Sequence, residues 1–210
     1  MTPWDQRLAR VMVRPLVRLS VSPSAVTTVT LILGLGGAAL LAAGEPWTVN
    51  TGAGLFVLAR FLDHFDGELA RQSGRTSRAG YYYDYAVGGL SYAALFLALG
   101  FAVHGGVLGD WPIALGLAGA TAAVASLFFN LDLDRHLDPA SGSDSYGYPA
   151  YAGFELEDGI YLLAPITWLG WLEPFVVAAG LGAVVYCLWT LLCVLRARSQ
   201  SRPSEEKPGA

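Results

Sequence analysis

Asp63-His64-Phe65-Asp66-Gly67-Glu68-Leu69-Ala70-Arg71 closes an apolar run that begins at Val49. A charged side chain at the centre of a hydrocarbon layer costs about 2.5–3.5 kcal/mol on insertion scales, so acids gathered at the end of such a run mark a site. The run itself decides the fold class, because it is one of several. Of the 210 residues 54% are hydrophobic and 14% charged, well below the roughly 25% charged fraction of soluble domains. About 20 apolar residues cross a bilayer. Six stretches approach that length: Val26–Ala43, Val49–Leu69, Tyr83–His104, Ile113–Leu131, Phe154–Leu172 and Phe175–Leu195. The chain is therefore expected to be an all-α, polytopic membrane protein with six transmembrane helices. Its partner is the lipid bilayer, and no nucleic-acid partner is expected.

Ahead of the first span, Arg7, Arg10, Arg14 and Arg18 share one face of a helical wheel, with Leu8, Met12, Leu16 and Leu19 on the other. This predicts an amphipathic helix over residues 1–20 lying in the interface, interrupted at Pro15. Residues 21–198 form the six-helix domain, with Ser24 placed as an N-cap of its first helix. Residues 199–210 read as a disordered tail, and 132–157 as a long polar connection suited to a binding loop. No cleavable signal peptide is visible. Of the 13 Lys and Arg residues, all but Arg60, within the second span, fall in the two termini, the second-to-third connection and the fourth-to-fifth connection. Basic residues are retained on the cytoplasmic side. Both termini and the acidic motif are thus expected at the cytoplasmic face of the plasma membrane. Cys187 and Cys193 read as small hydrophobes.

Asp63 and Asp66, three apart, are neighbours on one helix face. Two carboxylates that close in a poorly solvated place repel unless a cation lies between them. Oxygen ligands without thiolates suit Mg²⁺ or Mn²⁺. Asp84 approaches from the third span, Gly67 and Ala70 leave room for a pyrophosphate, and Arg71 offers a planar fork to phosphate oxygens. Ser77 and Gly80, in the turn before that span, could add a hydroxyl donor and space for a nucleotide.

Written as a pattern, D-x2-D-G-x2-A-R-x8-G-x3-D over residues 63–84 resembles the signature of the CDP-alcohol phosphotransferase (CDP-alcohol phosphatidyltransferase) family. Pro23 and Thr27 are similar to that family's opening P-N-x-x-T element, with Ser24 where the asparagine belongs. The resemblance implies that Asp63, Asp66 and Asp84 are metal ligands, and that Thr27, Gly67, Ala70, Arg71, Ser77 and Gly80 frame the CDP moiety. It implies a homodimeric membrane enzyme of phospholipid biosynthesis. Such an enzyme transfers a substituted phosphate from a CDP-alcohol, such as CDP-diacylglycerol, to an acceptor alcohol with release of CMP.

The family pattern continues with x3-D, and here that position is Gly88. Three readings stay open. In the first a carboxylate is drawn from Glu155, Glu157 or Asp158, giving Asp84, Glu155 and Asp158 as catalytic candidates; in the second the chain binds CDP and metal with little or no turnover; in the third it is an inactivated form. The sparse cations near Arg135 and His136 predict an uncharged polyol, amino-alcohol or lipid acceptor rather than a phosphate-bearing one. An intramembrane prenyltransferase is a lesser alternative, since such enzymes lack the G-x2-A-R continuation.

Overall fold

The computed structural model describes residues 4–136 and 156–200, and side chains over 7–134 and 159–199. Among these the chain is entirely helical: α1 Trp4–Met12, α2 Arg14–Arg18, α3 Pro23–Ala42, α4 Pro46–Ser73, α5 Arg78–Ala102, α6 Trp111–His136, a 3-10 helix Leu156–Leu162, α7 Leu163–Trp168 and α8 Leu172–Gln200. By neighbouring contacts the elements close into a ring: α3 packs on α4 and α5, α5 on α6, α6 on α8, and α7 joins α8 back to α4. Phe56, Leu41, Leu95, Leu99 and Leu163 lock the end of this ring where α4 begins. Trp168 Nε1 donates to the Asn50 carbonyl at 3.1 Å, tying α7 to α4.

Small residues set the closest helix approaches. A Cβ at Gly52 would stand 2.5 Å from the Gly37 carbonyl oxygen and 2.7 Å from the Leu41 nitrogen, so α3 and α4 pack backbone to backbone. This is the small-residue packing that membrane helices use in place of a hydrophobic driving force. Gly180 of α8 instead makes room for the Leu115 side chain of α6, whereas a Cβ at Gly36 or Gly182 would meet nothing within 4 Å. Gly74 ends α4 at φ 66°, with the Arg75 N–H reaching back to the Ala70 carbonyl at 3.0 Å. That left-handed cap is open to glycine at no steric cost.

Several expectations change. Four helices, α3, α5, α6 and α8, are long and apolar enough to cross a membrane. The 28-residue α4 is long enough, and the charges of the motif lower its apolar character. The described part of the fifth expected span, Phe154–Leu172, is a 3-10 helix followed by the six-residue α7, with Gly159–Trp168 as its short apolar stretch. Pro165 and the Gly170 turn, at φ 78°, limit its helical length. Ser22 rather than Ser24 stands at the N-cap position of α3, without a side-chain capping hydrogen bond, because Pro23 takes the first helical position.

Asp132 and Asp134 lie on α6 rather than in a loop, because each has a partner beside it. Arg198 Nη2 donates to Asp132 at 2.8 Å, and the Tyr81 and Tyr85 hydroxyls donate to Asp134 at 2.5 and 2.6 Å. Residues 137–155 of the expected polar connection lie outside the described residues. At the N-terminus the protein-facing side is Ala9 of α1 and Val13 between α1 and α2, fully buried against Phe65 and Leu69 of α4, while Leu8, Met12 and Leu19 stay exposed. Nor does the arginine stripe all face outward, since Arg10 turns to α4.

Candidate functional site

Residues of α4 and α5 converge where the ring opens. Asp63 and Asp66 project from one face of α4, and Asp84 from the second turn of α5, so that one carboxylate oxygen from each lies within 4.8 Å of the others. Asp66 is almost fully buried, at 4% exposed, and accepts a short hydrogen bond from the Thr27 hydroxyl of α3. Threonine at this place orients the carboxylate from behind, as partners of metal ligands commonly do. The oxygen-only donor set fits a hard divalent cation such as Mg²⁺ or Mn²⁺.

The other predicted residues gather at the same end without all pointing to one centre. Arg71 is exposed and donates from Nε and Nη2 to Glu68 at 3.1 and 3.0 Å. Glu68, buried at 5% exposure, also receives Arg10 Nε at 3.3 Å and Gln72 Nε2 at 3.0 Å, so the N-terminal helix is ion-paired to the motif. Gly67 lies under the Arg71 guanidinium, which a Cβ there would meet at 3.5 Å. Ala70 is half-buried one turn on. Ser77 caps α5, its Oγ accepting from the Gly80 N–H at 3.0 Å, and a Cβ at Gly80 would press on that oxygen at 3.1 Å. The glycine at 80 thus makes room for the cap. Glu155 lies outside the described residues. The backbone of Asp158 belongs to the 3-10 helix, next to Gly159, and its side chain lies outside the described set.

Behind Asp63 and Asp84 lies a cavity of about 520 Å³ between α4, α5, α6, α8 and the 3-10 helix. Phe96, Leu127, Ile160, Phe175 and several alanines and glycines line it, with Tyr85, Tyr92, Ser126, Asn130 and Tyr186 as polar groups. Asn130 Nδ2 donates to the Tyr186 hydroxyl at 3.0 Å. The Ser126 hydroxyl, on a residue 3% exposed, has no hydrogen-bond partner among the described residues. Gly88 opens onto this cavity, and a Cβ there would meet nothing within 4 Å.

Sequence reasoning passed over Arg60. Its guanidinium donates to Asp63 Oδ2 at 2.7 Å, lies 4.9 Å from the Tyr92 ring centroid, and its side chain is 11% exposed. A cation one turn before an acid in an apolar run was the available signal.

A bundle of largely apolar, membrane-type helices carries this carboxylate triad beside a half-open cavity. The chain belongs to the CDP-alcohol phosphatidyltransferase family, whose sequence pattern matches residues 20–189. No protein of curated function matches it significantly. Among solved structures it is similar to Mycobacterium tuberculosis phosphatidylinositol phosphate synthase with CDP-DAG bound. That likeness has 19% identity over 97% of this chain and 99% of the other, with a TM-score of 0.62. The same synthase in complex with manganese and citrate matches with 20% identity over 96% and 93%, TM-score 0.59. At these identities the likeness is one of fold.

Proposed function

We propose that this chain is a divalent-metal-dependent transferase that moves a substituted phosphate from a CDP-alcohol, such as CDP-diacylglycerol, to an acceptor alcohol and releases CMP. The observation that carries the reading is the convergence of Asp63, Asp66 and Asp84 beside a half-open cavity that Asp63 and Asp84 line. Bound there, Mg²⁺ or Mn²⁺ would neutralise charge on the pyrophosphate oxygens. The protein's own part is positioning, which dominates phosphoryl-transfer chemistry. Thr27 holds Asp66, and Gly67 and Ala70 leave the helix surface low beside the phosphates. Arg71, whose Nε and Nη2 hold Glu68, would turn its fork from that partner to their oxygens, and Ser77 and Gly80 border the nucleotide. The acceptor oxygen forms its bond to the phosphorus that carries the alcohol as the bond to CMP breaks, and the acceptor proton passes to Asp84 or to Glu155 or Asp158.

The cavity supports a lipid hydroxyl as acceptor. Its described lining is mainly apolar, and its single described cation, Arg60, is already paired with Asp63. A phosphate-bearing acceptor would lack a free partner there. The distribution of Lys and Arg supports a plasma-membrane location with the site and both termini cytoplasmic, α1 lying in the interface, and the family resemblance supports a homodimer.

A test is CMP release from CDP-diacylglycerol with Mg²⁺ or Mn²⁺ and a panel of lipid alcohols, polyols and phosphorylated polyols. Activity on lipid alcohols, abolished by Asp66→Asn, is expected. Gly88 favours a second reading, a CDP- and metal-binding relative with little turnover. Metal-dependent CDP binding without CMP release, with release restored by Gly88→Asp, would select it. Absence of CDP binding would refute both.

A further inference from the structure

We propose that Arg60 is a resident cation of this site, so that the three aspartates take one divalent ion rather than two. The proposal rests on the transferase reading and adds to it the charge state of the centre. An arginine cannot shed its proton in a protein. Arg60 therefore keeps its positive charge although only 11% of its side chain is exposed. Its Nη1 holds one oxygen of Asp63 at 2.7 Å, and its guanidinium lies against the Tyr92 ring. Asp84, Gly88 and Tyr92 follow one another every fourth residue on α5 and line the same cavity as Arg60. The guanidinium thus spans from Asp63 to the α5 face on which residue 88 offers no ligand.

Three carboxylates against one guanidinium leave two negative charges, the charge of one divalent ion. A second ion would leave the buried centre with net positive charge and would have to displace Arg60 from Asp63, and an uncompensated buried charge is strongly unfavourable. The two charges of a donor pyrophosphate arrive at the end of α4 and start of α5, where Arg75 and Arg78 stand exposed beside the Arg71–Glu68 pair. They do not need a second ion for neutralisation. Arg60 and Gly88 read together as one exchange: a fixed cation is present where a carboxylate for a further metal is absent.

The experiment is Mn²⁺ binding to the full chain in detergent micelles with saturating CDP, followed by electron paramagnetic resonance. The wild type is expected to bind one ion per chain with an uncoupled spectrum. Arg60→Gln removes a repelling charge from the centre and should tighten that ion by at least about tenfold, while Arg60→Lys leaves number and affinity unchanged. Arg60→Gln combined with Gly88→Asp should take two ions and show the exchange coupling of metals about 3.5–4 Å apart. Two ions in the wild type, or an Arg60→Gln affinity equal to wild type, would overturn the proposal, as would equal tightening in the Lys and Gln variants. The wild-type count stands as a test even where a variant does not fold. No CDP-dependent Mn²⁺ binding in any form would instead refute the transferase reading.

Discussion

Thr27→Val tests whether the first membrane helix takes part in the site. Thr27 and Asp66 are both 4% exposed, and the hydroxyl is the described side-chain donor to that carboxylate. Valine keeps the shape and removes the donor. A hydrogen bond to a charged group contributes about 1.5–3 kcal/mol. At about 1.4 kcal/mol per factor of ten, the loss corresponds to roughly ten- to hundredfold. Loss of an outer partner of a metal ligand gives the same range, about 10–100-fold in metal affinity or activity. Mn²⁺ affinity with CDP, and CMP release on lipid alcohols, should both fall by that factor in Thr27→Val. Thr27→Ser, which restores the hydroxyl, should stay within a few-fold of wild type. If Thr27→Val binds Mn²⁺ as wild type does while Asp66→Asn does not bind it, the hydroxyl has no part in holding Asp66 for the metal, and the argument fails.

Two further outcomes follow from packing and charge. Gly52→Val should cost about 1–3 kcal/mol or more, because its Cβ would meet backbone atoms at 2.5 and 2.7 Å. Gly36→Ala, with nothing within 4 Å, should stay within about 0.5 kcal/mol; equal thermal stability of the two in detergent would contradict the close α3–α4 approach. Glu68→Ala should lower stability by about 1–3 kcal/mol and speed tryptic cleavage after Arg10 and Arg14, since Glu68 holds Arg10, Arg71 and Gln72. Unchanged cleavage would show that α1 is held by Ala9 and Val13 alone.

The all-helical class was legible from composition and apolar runs because hydrocarbon admits few ways of satisfying a backbone. The triad was legible because Asp63 and Asp66 share a helix face by spacing and Asp84 completes a family pattern. Helix ends were less so: Asp132 and Asp134 read as loop residues, yet α6 continues through them because Arg198, Tyr81 and Tyr85 lie on neighbouring helices. The same limit applied to the N-terminal segment: its wheel gave an apolar face for the bilayer, on which Leu8, Met12 and Leu19 are exposed, but not that Ala9 and Val13, small enough to seat on α4, hold it to the bundle.

By itself the sequence determined that the chain is a bundle of membrane-type helices with an acidic, family-specific motif, since periodicity, apolar length and residue spacing are local properties. Only the tertiary structure decided what surrounds that motif. Arg60 reaches Asp63 and Tyr92, Glu68 occupies Arg71, and Gly88 faces open space in an apolar cavity. These relations join helices distant along the chain, and whether a charge is paired, spare or missing depends on which side chains the ring brings within a few ångströms of it.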